Sequence, residues 1–273
     1  MDYKLPKLPE RDENSNKGTF GKILNISGSE YMSGAAYLSS VSALKVGAGY
    51  VELASKERVL NSVAALAPEV VLAPLEKVDE IDATVLLVGC GLSTSDKAVK
   101  LFKKAIKRNI PTVIDADGLN ILAKNQEILK QVQDNIQLIL TPHPKEASRL
   151  LNCTLEDILS DMENSAKKIS EKYKCVTVLK SHRTIVTDGE KIYRNTTGNS
   201  ALAKAGSGDV LAGMIAGLLA QKMSLFDAAA LGVYLHGLAG DLAKNDLSAY
   251  GVLASDTIRY IPYAIKNYLC EKV

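Results

Sequence analysis

The chain has 273 residues, 47% of them hydrophobic and 23% charged, and its 33 Lys and Arg against 31 Asp and Glu leave a formal charge of +2. That balance offers no electrostatic footprint for nucleic acid, and no apolar run approaches the roughly 20 residues of a membrane-spanning helix, so neither partner is expected. Cys90, Cys153, Cys175 and Cys270 lie far apart without a C-x-x-C pair, which predicts buried, reduced thiols, and the polar N-terminus has no signal-peptide core, which predicts a cytoplasmic protein.

Residues 1–17 are polar and contain Pro6 and Pro9, so they are expected to follow the surface. Lys22 to Ser27 reads as a short buried strand, and Gly28-Ser29-Glu30 turns the chain. From Gly34 to Val46 the spacing of Ala35, Leu38, Val41, Ala43 and Leu44 predicts a helix, closed by Gly47 and Gly49 before a strand at Tyr50 to Ala54. The β-α alternation continues with a helix near Glu57 to Leu66, a strand at Val70 to Leu72, and the wholly apolar Val85 to Val88. Such a run implies burial on both faces.

Helix Asp96 to Arg108 turns Val99, Phe102, Ala105 and Ile106 inward and five lysines outward, a solvated face. Pro111 to Asp115 is the next strand, Asp117 a candidate N-cap for Gly118 to Lys124, and Leu138 to Thr141 a further strand ending at Pro142-His143-Pro144. In an open parallel sheet the ligand crevice lies at the carboxyl ends of the strands. Gly89-Cys90-Gly91, Asp115, Asp117 and His143 are therefore candidates to line one site. A helical stretch from Glu146 to Lys172 leads to three short β-rich runs, Val176 to Lys180, Thr184 to Thr187 and Lys191 to Tyr193. Asp188-Gly189-Glu190 between the last two signals a hairpin. Three helices close the chain, at 208–221, about 225–244 and about 255–269. With no repeat or linker composition, residues 1–273 read as one domain. The fold class is α/β, a mostly parallel sheet with helices on both faces and a short antiparallel extension.

The loop Asn195 to Asp209 stands out. Gly198, Gly206 and Gly208, several hydroxyls and one carboxylate precede the apolar run Val210 to Ala220. Unpaired N–H groups and the dipole at a helix start bind phosphate oxygens, and glycine lets a ligand approach the backbone. Asp209 then has two readings: it stabilises the first helical turn, or it serves as a general base. The sequence contains no G-x-x-x-x-G-K-[ST] loop, no complete G-x-G-x-x-G fingerprint, no H-E-x-x-H and no G-x-S-x-G. What survives is equipment for moving a phosphoryl group between a nucleotide and a hydroxyl.

Lys17-Gly18-Thr19-Phe20-Gly21, Gly34-Ala35-Ala36, Gly47-Ala48-Gly49, Val88 to Leu92, Asp115-Ala116-Asp117, Leu140 to Pro144, Leu179-Lys180 and Thr197 to Asp209 occur in an order that resembles the ADP/ATP-dependent NAD(P)H-hydrate dehydratases. These are members of the ribokinase-like superfamily. The resemblance runs over nearly the whole chain from about residue 10. It implies that NAD(P)H hydrated at C6 of the nicotinamide ring is dehydrated at the expense of ADP or ATP, with Mg²⁺ accompanying the polyphosphate. It places hydrate binding on Ala35, Gly91, His143 and Asp209, with Asp209 as catalytic base. It places nucleotide binding on Lys180, Ser181, His182, Arg183, Thr184, Gly206, Ser207 and Gly208, with no metal held by the protein alone. It further implies a homo-oligomer, a tetramer, and cooperation with a separate NAD(P)H-hydrate epimerase, because the chain lacks the extra domain that epimerisation needs.

Each position also has a plain structural reading. Ala35 could pack a helix close to a strand, His143 could be a rigid turn residue, Lys180 could snorkel from a strand end, and Asp115 and Asp117 could be caps. The chain departs from the family pattern at Cys90, where Pro is common, and at Ser181 and Ala205, where Gly is common. Two other functions stand beside the dehydratase: a kinase of the same superfamily acting on a vitamin-precursor alcohol of the hydroxymethylpyrimidine or hydroxyethylthiazole type, and a nucleotide sensor without turnover.

Overall fold

The computed structural model describes residues 3–130 and 137–271. Its first half contains β1 (Lys22–Ile26), α1 (Ser33–Lys45), β2 (Tyr50–Ser55), α2 (Glu57–Ala64), β3 (Val71–Pro74), β4 (Val85–Val88), α3 (Asp96–Ile106), β5 (Thr112–Ile114), α4 (Asp117–Lys124) and α5 (Glu127–Lys130). Then come β6 (Leu138–Leu140), α6 (Pro144–Leu151), α7 (Leu155–Ser160), α8 (Met162–Tyr173), β7 (Val176–Leu179), β8 (Ile185–Thr187) and β9 (Ile192–Arg194). After them follow α9 (Ser207–Ala220), α10 (Leu225–Gly251) and α11 (Ala254–Glu271).

The strands form one sheet in the order β3-β2-β1-β4-β5-β6-β7-β8-β9. Pairing is parallel from β3 to β7 and antiparallel across β7-β8-β9, as the Asp188-Gly189 hairpin requires. Successive side chains of a strand point to opposite faces. Leu87, Val113 and Ile139 accordingly join the core beneath α1, α2, α9, α10 and α11, while Leu86, Val88, Ile114, Leu138 and Leu140 join the core beneath α3, α4, α6, α7 and α8. Helices cover both faces, so central strands such as β4 (Val-Leu-Leu-Val) and β6 (Leu-Ile-Leu) are apolar throughout. The N-terminal segment lies on the first core through Tyr3, Leu5 and Leu8, and the Tyr268 hydroxyl donates to the Pro6 carbonyl at 2.7 Å. Residues 1–2 of the expected surface segment lie outside the described residues.

Several expectations are corrected. The stretch 146–172 is three helices, because His143 caps α6 from outside, left-handed Asn152 (φ 54°) ends it, and Thr154 and Asp161 cap the next two. Asp117 is not an N-cap: it lies inside α4, Ala116 holds the cap position, and the Asp117 carboxylate accepts the Ser93 N–H at 2.8 Å. The buried face of α1 is Ala35, Ala36, Ser39, Ser40, Ser42 and Ala43, while Leu38, Val41 and Leu44 are only partly covered. Close approach of α9 selects those small residues: a Cβ on Gly213 would stand 2.1 Å from Ser42 Oγ and 2.2 Å from the Ser39 carbonyl oxygen. Helix α10 passes its expected end at 244 and reaches Gly251, with non-helical Ser248 (φ 65°, ψ 162°) marking a break. All four cysteines are free, but Cys270 is exposed and Cys153 half-buried rather than buried.

Candidate active site

The carboxyl ends of β4, β5, β6 and β7 converge on the N-terminus of α9. The chain leaves β5 at Asp115, which is buried to 1% exposure, and its Oδ1 accepts from Thr141 Oγ1 and from Lys180 Nζ, both at 2.7 Å. Lys180 continues β7, and its ammonium also lies 3.9 Å from Glu146 Oε2 in the first turn of α6. Burial alone would lower the Lys180 pKa, but Asp115 and Glu146 outweigh it and raise it. The cation is therefore fixed in place. Between Asp115 and Asp117, Ala116 takes φ 49°, ψ −117°, a conformation that strains a residue bearing a Cβ.

Against this ion pair stands the glycine loop. Gly206 has φ 92°, which lets the chain turn into α9, and its missing side chain leaves room for Leu38 and Ala254. A Cβ on Gly208 would lie 3.4 Å from Lys180 Nζ and 3.7 Å from Asp115 Oδ2, so the first turn of α9 approaches the pair closely. Asp209 follows. Burial raises its pKa to about 6, reinforced by Asp115 and Asp117 and opposed by the Cys90 thiol and Lys180. An acid of that strength at the positive end of a helix is ionised near neutrality yet able to take a proton.

The expected residues divide into a central group and a rim. Lys180, Gly206, Ser207, Gly208 and Asp209 are central. Gly91 (φ 60°) and Ala35 meet at the edge nearest α1, where a Cβ on Gly91 would be 2.9 Å from that of Ala35. His143 does cap α6, since its Nδ1 accepts from the Lys145 and Glu146 N–H groups. Its half-exposed ring still faces the group, with Nε2 3.3 Å from Glu146 Oε1. Burial and Lys180 lower its pKa. Ser181 to Thr184 spend their polar groups on a turn: Arg183 N donates to Ser181 Oγ and Thr184 Oγ1 to the Ser181 carbonyl. His182 and Arg183 are exposed at the rim.

Other partners escaped the sequence reading. Buried Glu146 has its pKa raised to about 7 by burial, and His236 of α10, against the Ser207 backbone, has its pKa lowered to about 4 by burial. Asp241 of α10 accepts from Gly198 N at 2.9 Å and Asn199 Nδ2 at 2.7 Å, which pins the first half of the glycine loop. The spacing His143-x-x-Glu146 was a legible capping-box signal for Glu146. Nothing local marked His236 or Asp241.

Cys90, Asp115 and Asp209 each place one donor atom within 4.8 Å of the other two. They do not suit a resident Mg²⁺, which demands oxygen ligands. The Cys90 thiol is pushed well above its usual pKa by burial and by both carboxylates, and one oxygen of Asp115 is committed to Lys180 and Thr141. Two concavities of about 660 and 580 Å³ open elsewhere, between the N-terminal segment and α11 and beside Tyr50 and Lys77. Neither contains the buried acids and cation that phosphoryl chemistry needs.

The sequence model of the NAD(P)H-hydrate dehydratase family matches residues 23–263. An ADP-dependent (S)-NAD(P)H-hydrate dehydratase from Neisseria meningitidis is 41% identical over 254 residues, which cover 90% of this chain and 85% of that protein. A bifunctional NAD(P)H-hydrate repair enzyme from Moorella thermoacetica is 39% identical over 96% of this chain and 52% of its own length. The chain thus spans about half the length of the bifunctional relatives it matches. The crystal structure of the ADP/ATP-dependent NAD(P)H-hydrate dehydratase from Bacillus subtilis, co-crystallised with ATP and Mg²⁺, superposes with a TM-score of 0.85 at 29% identity, covering 96% of this chain and 94% of that one.

Proposed function

The chain belongs to the NAD(P)H-hydrate dehydratase family and shares its ribokinase-like fold, and from that premise we propose that it dehydrates C6-hydroxylated NADH or NADPH back to NAD(P)H at the expense of ADP or ATP. Asp209 carries the reading: a carboxylate with pKa about 6, at the start of a 14-residue helix and beside a buried Lys180–Asp115 pair. Asp209 takes the proton of the C6 hydroxyl as its oxygen bonds to the terminal phosphorus and the nucleotide oxygen leaves. Backbone N–H groups from Gly206 to Gly208 and the Lys180 ammonium stabilise the charge that builds on the transferred group. The ring nitrogen's lone pair then expels phosphate, and loss of a proton from the neighbouring ring carbon restores the dihydropyridine. Mg²⁺ enters with the nucleotide's own phosphates.

Hydrate contacts are proposed at Ala35, Gly91, His143 and Asp209, and nucleotide contacts at Lys180 to Thr184 and Gly206 to Gly208. The single nine-stranded sheet supports one domain for the chain. No helix among the described residues is long and apolar enough to cross a membrane; a cytoplasmic site of action is proposed. Tyr250, 95% exposed, and its exposed neighbours Leu247 and Leu253 support a homo-oligomer, proposed as a tetramer. A separate epimerase is the proposed functional partner.

The test incubates purified protein with hydrated NADH or NADPH and either nucleotide, and follows the absorbance of reduced nicotinamide. Recovery with the parent protein, and a loss of about 100-fold or more in kcat with retained nucleotide binding in Asp209→Asn, are expected. No recovery with either nucleotide sinks the reaction, and near-normal turnover of the variant removes Asp209 from the base role.

A further inference from the structure

Cys90 leaves the end of β4 fully buried, with its thiol, one Asp115 oxygen and one Asp209 oxygen mutually within 4.8 Å. A thiol between two carboxylates stays protonated, and it can only donate to them. The two acids differ in what already holds them. Asp115 receives Thr141 and Lys180 at 2.7 Å each. Beside Asp209, the Cys90 thiol is a side-chain donor whose sulfur lies within 4.8 Å of one carboxylate oxygen.

We propose that Cys90 is a positioning residue for the base: its S–H donates a hydrogen bond to Asp209 that orients the carboxylate and favours its ionised form. The proposal rests on the reading of Asp209 as base. The charged and titratable groups facing Asp209 are few. The end of β5 and the start of α4 bring Asp115 and Asp117, which oppose ionisation, and the end of β7 brings Lys180, which favours it. Helix α10 places His236, held neutral by burial, against the Ser207 backbone, and Leu38 of α1 and Ala254 of α11 lie beside Gly206. The thiol therefore joins Lys180 and the N-terminus of α9 in favouring the ionised carboxylate. It is the one that can be deleted without breaking the ion pair.

The experiment compares parent, Cys90→Ala and Cys90→Ser full-length proteins by kcat/KM for the hydrate, from about pH 5 to 9. Loss of the donor in Cys90→Ala is expected to move the acid limb upward by roughly half a unit to one unit. Activity then falls several-fold near pH 6 and returns towards the parent value at high pH, while Cys90→Ser, which keeps a donor, follows the parent curve. A loss in Cys90→Ala that is equal at every pH, or no change at all, overturns the proposal. Should Cys90→Ala fail to fold, the infrared S–H stretch of parent and Asp209→Asn decides. A shifted stretch supports the hydrogen bond to the carboxylate, and an identical one overturns it. An inactive Asp209→Asn beside a pH-flat Cys90→Ala removes only the thiol's role, whereas an active Asp209→Asn removes the base itself.

Discussion

Asp209 is held where its charge is costly to the fold and useful to the reaction. Its pKa is about 6 in the folded chain against the ordinary 3.8, with burial the largest cause and Asp115 the next. Between about pH 4 and pH 6 the folded state thus binds more protons than the unfolded one, and stability declines as pH rises through that window. Asp209→Asn removes this penalty. At pH 7 the variant is expected to be more stable than the parent by on the order of 1–2 kcal/mol, a few degrees in Tm, with the difference gone below about pH 4. Thermal melts at the two pH values check it, and a variant less stable at pH 7 contradicts the burial argument. The same substitution that is expected to cripple turnover should therefore stabilise the chain, a trade-off expected where a site stores an unfavourable charge.

At the scale of elements, the site depends on how closely α9 approaches its neighbours. Gly213 lies where α9 crosses α1, and Gly213→Ala would drive a methyl to within 2.2 Å of the Ser39 carbonyl oxygen. Backbone is a poor place to find relief. A loss on the order of 2 kcal/mol, roughly 4–8 °C in Tm, is expected in a melt at pH 7. Unchanged stability would mean that the helices part freely, and α9 would then not hold Gly208 and Asp209 rigidly. The strands were legible because they follow one local rule: Val85 to Val88 is apolar throughout and is found at those bounds. Strand ends in a parallel sheet share one edge, so Gly91, Asp115, Asp117 and His143 could be gathered before any coordinates, whereas Lys180 entered through the family resemblance. The buried face of α1 was not legible because serines at 39, 40 and 42 look solvated until a glycine helix is known to press on them. Asp117 looked like a cap because its bond to Ser93 crosses between loops, and the Asp241 anchor joins residues more than forty apart in sequence. Such contacts leave no periodic trace.

For the whole molecule, the side from which the proposed site reaches its substrate decides which epimer it repairs. The bifunctional relatives are about twice as long as the segment this chain matches, and the Neisseria relative of similar size is named for the S epimer alone. In the proposed reaction, a base on α9 and a phosphoryl donor on the glycine loop reach the C6 oxygen from one direction. A hydroxyl on the opposite ring face would point away from Asp209, and a misplacement of about 1 Å already costs on the order of 100-fold in rate. This 273-residue chain alone is therefore expected to restore only the S fraction of a mixed-epimer NADH hydrate preparation quickly. Absorbance should rise in a fast phase matching that fraction and then continue at the rate of spontaneous epimerisation. Adding a purified epimerase should merge the two phases. Complete fast recovery without it would mean that the site accepts both epimers or interconverts them, and the one-sided geometry drawn from α9 would have to be abandoned.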